Sequence, residues 1–189
     1  MKSLNTINSL FLSIFILTAC NNTIEVKESY ADGQAKVVNY FINNSNENFE
    51  QKVFDEKGQI KTTRQFENNK QVGFEKQFYT SGELAGDMEY KNGMRNGKSH
   101  EYHKNGKLAF EGYCYPDSSF CGLSTWYYDN GQIKKTGNRN RDIGIGIWYE
   151  YYRNGKKRSI LDFDKKHFVY FSALGDTISE NEYKGTEED

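Results

Sequence analysis

A glycine recurs at nearly constant spacing along this sequence of 189 residues. The steps between these glycines are 24 or 25 residues, with a last step of 20. A fixed period of this length is typical of chains that stack one small structural unit many times. We therefore expect tandem repeats over residues 29–183, clearest over residues 73–165. The glycines that set the period are Gly33, Gly58, Gly82, Gly106, Gly131, Gly155 and Gly175.

Each repeat is predicted to be a β-hairpin. Asparagine precedes three of the glycines, and Asn-Gly tolerates the positive φ that a two-residue hairpin turn requires. With such a turn, Tyr128 pairs with Ile133, and Gly97, nine residues before its turn glycine, pairs with Cys114. An aromatic ring across from a glycine can cover bare backbone. The Asn-Gly turns are Asn105-Gly106, Asn130-Gly131 and Asn154-Gly155, and the glycines nine residues earlier are Gly73, Gly97, Gly122 and Gly146.

The composition favours a thin, extended architecture. The apolar fraction is 36% and the mean hydropathy is −0.87, which is low for a chain that fills a spherical core. One hairpin alone is marginal, whereas hairpins laid edge to edge pair each other's backbones and bury each other's rings. The predicted fold is all-β: an elongated single antiparallel sheet of tandem hairpins, with about 24 residues per repeat.

One spacing resembles a known family. The pattern G-x-W-x-x-Y-Y-x-N-G, from Gly146 to Gly155 with Trp148, Tyr151 and Tyr152, is similar to a MORN-type repeat, in particular the variant of YwqK-family antitoxin-like proteins. The resemblance covers about residues 50–165. It implies an elongated antiparallel sheet of successive hairpins, and no catalytic residues are carried over with it.

The first twenty residues resemble a bacterial lipoprotein signal. Lys2 precedes a short apolar stretch from Leu10 to Leu17, which leads into Leu-Thr-Ala-Cys ending at Cys20. Residues 1–19 are therefore predicted to be removed, Cys20 to carry the acyl chains, residues 20–28 to form a tether and residues 184–189 an acidic tail. The protein is expected in the bacterial cell envelope, anchored to a membrane outside the cytosol. The alternative is an ordinary secretory signal.

Cysteine usage agrees with export. Cys114 and Cys121 enclose a segment with Pro116 and Asp117, which favour a turn, so the two thiols are expected to meet between adjacent strands. A disulfide is predicted in an oxidising compartment. The alternative is that both remain thiols.

The densest aromatic zone supplies the candidate binding surface. Alternation along a strand sends neighbouring residues to opposite faces, so the rings of this zone cannot all enter one core layer. The candidate residues are Trp126, Tyr128, Trp148 and Tyr152. The alternative is that these rings only pack the sheet.

No catalytic or metal site is predicted. His100 and His103 are three residues apart, which on a strand places them on opposite faces. The formal charge of −1 is spread along the chain, so no nucleic-acid surface is implied. We predict no cofactor and no enzyme activity.

The leading functional hypothesis is a lipid-anchored repeat protein that presents a β surface to a protein partner or an envelope component. The second, which the family resemblance implies, is an immunity or antitoxin-like protein that neutralises a toxin. The third is a module that binds a cell-envelope glycan by stacking exposed aromatic rings on sugars.

Overall fold

The computed structural model describes residues 23–43, 45–115, 120–140 and 143–184, without the side chains of residues 120 and 121. The predicted signal peptide, the lipid-attachment residue Cys20 and residues 185–189 of the predicted tail lie outside the described part.

Fourteen strands and one short helix make up the described residues. They are β1 Ile24–Ser29, β2 Ala35–Phe41, β3 Phe49–Phe54, β4 Ile60–Glu67, β5 Lys70–Phe78, β6 Leu84–Lys91, β7 Met94–Tyr102, β8 Leu108–Cys114, β9 Phe120–Tyr127, β10 Ile133–Asn140, β11 Ile143–Tyr151, β12 Lys157–Asp162, β13 His167–Phe171, β14 Thr177–Ile178 and α1 Glu180–Lys184.

All strands belong to one open antiparallel sheet, and each pairs with its neighbours in chain order. At about 4.8 Å between strands, the sheet extends about 60 Å along the pairing direction. The prediction of a single antiparallel sheet of tandem hairpins is therefore confirmed. β1 begins at Ile24, so most of the predicted tether over residues 20–28 is already part of the sheet.

The periodic glycines end three-residue turns, and the prediction of two-residue turns is wrong. Tyr128 N–H donates to Gln132 O at 2.8 Å, and Gly131 N–H donates to Tyr128 O at 2.9 Å. Tyr128 therefore pairs with Gln132 rather than with Ile133. Gly131 has a φ of +93°, whereas Asn130 is not among the residues with positive φ. Only the glycine takes the left-handed conformation, which a turn followed by a bulge requires.

The register away from the turn was predicted correctly. Gly97 pairs with Cys114, and Gly122 pairs with Arg139. A shift between Ile133 and Lys135 absorbs the extra turn residue, because Ile133 pairs with Tyr127 but Lys135 pairs with Trp126. We call the side of the sheet that carries these turns the glycine edge.

On the other side, which we call the return edge, two of the connections are two-residue turns. Asn68 and Asn69 both have positive φ and join β4 to β5, and Asn92 and Gly93 do the same between β6 and β7. Positive φ at both central residues is the geometry whose twist matches that of the strands. The Asn-Gly signal thus applies to Asn92-Gly93 rather than to the periodic glycines.

Three of the glycines nine residues before the turn, Gly73, Gly97 and Gly146, lie in bulges where three residues of one strand face a single residue of the neighbouring strand. Between two regular pairs of β10 and β11, three residues from Gly146 to Trp148 face the single residue Gly137. Gly146 has a φ of +65°, and a Cβ there would meet nothing within 4 Å. The backbone conformation, rather than a covering ring, is therefore what requires glycine at this position.

A short cap closes the last strands. The ring of Tyr183, on α1, stacks on Tyr170 with 4.3 Å between centroids, and its hydroxyl donates to Glu150 Oε2 at 2.5 Å. Burial and this hydrogen bond raise the pKa of Tyr183. The contact ties the end of the described chain back to β11.

Candidate binding surfaces

The four aromatic residues predicted to form a binding surface are mostly buried. Tyr128, Trp148 and Tyr152 are each 8% exposed, and Trp126 is half-buried. The expectation that one set of these rings lies exposed is therefore corrected, because the sheet uses them for its own packing. This supports the packing alternative for the three buried rings.

The buried tyrosines join one repeat to the next. Tyr128 donates its hydroxyl hydrogen bond to Tyr151 O at 2.9 Å, and Tyr152 donates to Phe171 O at 2.7 Å. The donor in each case lies three residues before one turn glycine, and the acceptor lies four residues before the next. Tyr30, Tyr79 and His103 occupy the same position and contact Phe54 O, Tyr102 O and Tyr127 O. We call this set of bonds the side-chain ladder.

The ladder completes backbone pairing that the sheet leaves unfinished. In the β9–β10 hairpin, Tyr128 N–H donates to Gln132 O and Tyr128 O accepts from Gly131 N–H, so the carbonyl of the preceding residue, Tyr127, points away from β10 and towards β8. The last paired residues of β8 and β9 at this edge are Phe110 and Trp126. The imidazole of His103 therefore reaches a carbonyl that no strand pairs.

A row of rings covers one face of the second half of the sheet. Neighbouring centroids are 4.8 Å apart for Phe110 and Trp126, 5.6 Å for Trp126 and Trp148, and 6.5 Å for Trp148 and Phe163. We call this side the ring face. The indole of Trp148 lies directly on Gly137, where a Cβ would overlap three of its ring atoms. Glycine is required there by contact with the ring rather than by backbone conformation.

Two cations lie over the half-buried Trp126. Lys135 Nζ is 4.6 Å from the ring centroid, and the Arg139 guanidinium is 5.8 Å away. Arg139 is held in place because its Nε donates to Ser124 Oγ at 3.0 Å. These contacts stabilise the ring face through cation–π attraction and leave less of the indole available to a ligand.

The first half of the ring face carries polar side chains in place of rings. Gln51 donates to Asn39 Oδ1 at 3.1 Å, and Arg64 donates to Gln51 Oε1 at 3.1 Å and to Glu75 Oε2 at 2.9 Å. Burial raises the pKa of Glu75, but hydrogen bonds from Gln71, Arg64 and Gln77 outweigh it and hold that pKa below its ordinary value. The carboxylate is thus charged and fully engaged within the protein.

The opposite face pairs its own polar groups. His100 Nδ1 lies 2.7 Å from Asp87 Oδ1, whereas His103 contacts a backbone carbonyl of the side-chain ladder. Tyr127 donates to Glu111 Oε1 at 2.5 Å, and burial together with this bond raises its pKa to about 12. The two histidines therefore have separate structural partners.

Five exposed apolar side chains lie on the opposite face, on or beside β8, β9 and β11, with Asn138 and Asn140 of β10 between the last two strands. Leu123 pairs with Asn138, which pairs with Ile145, so the residues around them lie on adjoining strands. The exposed fractions of Leu123, Ile143 and Ile147 are 62%, 71% and 47%. The rings of Tyr113 and Tyr115 are 4.7 Å apart. The apolar patch, as we call it, consists of Tyr113, Tyr115, Leu123, Ile143 and Ile147.

This patch was not predicted from the sequence because its residues are dispersed along the chain. Gly112 pairs with Ser124 at the end of the β8–β9 ladder, which places Tyr113 next to Leu123 on the face opposite the ring face. The spacing of aromatic residues indicated Tyr128, Trp148 and Tyr152, which are buried, and it did not indicate the isolated aliphatic residues. A pattern search for strand residues that alternate with glycine, as in Ile143-Gly144-Ile145, could have found part of it.

The predicted disulfide lies partly outside the described residues. The disulfide between Cys114 and Cys121 stays a prediction, because the side chain of Cys121 lies outside the described part. Within the described residues, no three His, Cys, Asp or Glu side chains form a group that could hold a metal ion. No helix in that part of the chain is both long enough and apolar enough to cross a membrane.

Comparison with known proteins identifies the repeat. Residues 71–92, 95–115, 120–140 and 145–165 each match the family model of the MORN repeat variant. These segments coincide with the region from β5 to β12, where a second glycine lies nine residues before each turn glycine. No curated protein matches the chain. MORN repeats commonly serve as non-catalytic binding repeats. The chain thus contains four tandem MORN repeats of the variant type, which form the middle of a continuous hairpin sheet.

Proposed function

We propose that this protein is a non-enzymatic, lipid-anchored repeat protein of the bacterial cell envelope that binds a protein partner through the apolar patch. The observation that carries the proposal is the exposure of Leu123, Ile143 and Ile147 on one face of the sheet, while Phe110 and Trp148 on the other face are buried. A group of large exposed apolar side chains on one face of a domain marks a site of interaction.

The surroundings of the patch fit a protein interface. Lys98 pairs with Tyr113, and Asp162 pairs with Ile147, so charged side chains border the apolar centre. An apolar, aromatic centre with a polar rim is typical of protein–protein interfaces. The patch also lies on paired strands rather than on loops, so little ordering is needed when a partner binds.

The lipid anchor is supported by the sequence. Cys20 follows the apolar stretch of the predicted signal, and Thr23 already bonds to the sheet, since Thr23 O accepts from Phe41 N–H at 2.8 Å. Three residues of extended chain span about 10 Å. An acylated Cys20 would therefore hold the sheet close to the bilayer. Replacing Cys20 with Ala should move the protein from the membrane fraction to the soluble fraction, and unchanged membrane association would contradict the anchor.

The binding test compares two sets of surface substitutions. Leu123→Ser, Ile143→Ser and Ile147→Ser together remove the apolar patch, whereas Ile60→Ser and Ile133→Ser remove exposed apolar side chains next to the glycine edge. We expect affinity purification from solubilised membranes to recover one stoichiometric protein partner with the parent chain and the control. Recovery should fail with the patch variant at unchanged thermal stability. Recovery of the same amount of partner with the patch variant would contradict the proposal.

The YwqK-type resemblance supports a more specific partner, a toxin that the protein neutralises. Co-expression distinguishes this case from other partners. If the purified partner arrests growth when it is expressed alone, the parent chain should restore growth and the patch variant should not. A partner that is harmless by itself would rule out the immunity function and leave the binding function intact.

A further inference from the structure

The two outer strands of the sheet differ in how they end. At one end, β14 has only two residues, and Tyr183 packs on the neighbouring strand β13 through Tyr170. At the other end, β1 has six residues and, within the described part of the chain, a neighbour only on the side of β2. The sheet therefore has one capped end and one open end.

The open end presents backbone groups in a defined order. Phe41 N–H donates to Thr23 O, and the pairs that follow are Ile24 with Tyr40, Glu25 with Asn39 and Val26 with Val38. Hydrogen-bonded and non-hydrogen-bonded pairs alternate in an antiparallel ladder. Glu25 therefore directs its N–H and C=O towards β2, whereas Ile24 and Val26 direct theirs away from the sheet.

The charges on this strand are self-complementary. Lys27 Nζ lies 3.0 Å from Glu25 Oε2, and the side chains are 47% and 42% exposed. In an antiparallel pairing of two identical strands centred on Val26, Glu25 of each copy lies opposite Lys27 of the other. Val26 then meets Val26, and its outward N–H and C=O bond to their own equivalents, as a two-fold axis at a hydrogen-bonded pair requires.

We propose that β1 is an interface through which two copies of this chain pair antiparallel about Val26 and form one sheet that continues through both. The register of β1 shifts on either side of Glu28, so regular pairing is limited to a short segment and the dimer is reversible. Lysine and bulges on an edge strand discourage pairing with unrelated strands. A second copy removes that obstacle because it supplies a carboxylate opposite Lys27.

Charge reversal provides a test that intrachain effects cannot imitate. Glu25→Lys makes positions 25 and 27 both positive, and Lys27→Glu makes both negative. We expect the purified parent chain to double in mass with rising concentration in light scattering, and each variant alone to remain monomeric. An equimolar mixture of the two variants should form dimers again, because opposite charges then face each other. A mixture that stays monomeric, or a parent chain that stays monomeric, overturns the proposal.

Cysteine cross-linking tests the register independently. Paired residues at such an axis have Cα atoms about 5.5 Å apart, which a disulfide can bridge. Val26→Cys should therefore form a cross-linked dimer under mild oxidation. Ile133→Cys is the matched control, because Ile133 is 38% exposed and Val26 is 39% exposed but Ile133 lies on the interior strand β10. Equal cross-linking of both variants would overturn the pairing. The patch on β8, β9 and β11 is not involved, so this result is independent of partner binding.

Discussion

The side-chain ladder can be tested by removing two hydroxyl groups. Tyr152→Phe deletes the donor that bonds to Phe171 O at 2.7 Å, and Tyr128→Phe deletes the donor that bonds to Tyr151 O at 2.9 Å. The rings stay in place, so no cavity forms. A hydrogen bond of this kind contributes about 1 kcal/mol to stability. Each substitution should therefore lower the free energy of unfolding by about 1 kcal/mol, which for a chain of this size lowers Tm by about 2–4 °C.

The assay is thermal unfolding followed by circular dichroism, with Tyr90→Phe as the control. The Tyr90 hydroxyl accepts an exposed hydrogen bond from Arg95 Nε at 3.2 Å, so its loss should change Tm by less than either ladder variant. The double variant should lose about 2 kcal/mol. If the ladder variants unfold at the same temperature as the Tyr90 variant, the ladder does not stabilise contacts between repeats.

Three further predictions concern contacts within the sheet. Gly137→Ala places a Cβ inside the Trp148 ring and should destabilise the protein by about 1–3 kcal/mol, with a smaller loss in a Trp148→Leu background; equal losses in calorimetry would refute the steric explanation. The lowered pKa of Glu75 stabilises the fold above its ordinary pKa of 4.5, and this contribution is lost as pH falls through the folded value. The free energy of unfolding, measured with denaturant between pH 6 and pH 3, should therefore fall less steeply for Glu75→Gln than for the parent chain. The same pH dependence in both proteins would contradict a stabilising role of the Glu75 carboxylate. The pKa of Tyr127 is raised from 10.0 to about 12, so this residue stabilises the fold below pH 10, and the stabilisation is lost as the pH rises from 10 to 12. Tyr127→Phe should therefore remove one tyrosine that ionises late in an ultraviolet titration, and an unchanged titration would contradict the raised pKa.

The periodic glycines made the fold predictable from sequence. Their spacing fixes hairpin length, and hairpin length fixes which residues pair far from the turn, as Gly97 and Cys114 do. The turn itself was predicted incorrectly because Asn-Gly is compatible with two geometries. In the one observed at Gly131, only glycine has positive φ and a bulge follows. Sequence alone does not distinguish these, since both geometries place glycine at a position of positive φ.

The candidate site was less predictable for a physical reason. Trp148 is a large ring on β11 and Tyr152 directly follows that strand, and exposure cannot be read from alternation when a neighbouring glycine bulge changes the direction of the strand. The bulge at Gly146 lets Ile147 face solvent while Trp148 covers Gly137. Proximity of Tyr113, Leu123 and Ile143 depends on the pairing of successive strands, so the apolar patch emerges only in the folded sheet.

The most direct test of the account is photo-cross-linking in cells from single positions on the surface of the sheet. A photoreactive residue at Leu123 probes the apolar patch. One at Ile133, which is also exposed, probes the first residue of β10, beside the glycine edge and outside the patch. We predict one discrete protein adduct from position 123 and none from position 133. Absence of an adduct from position 123, or the same adducts from both positions, would contradict partner binding through the patch.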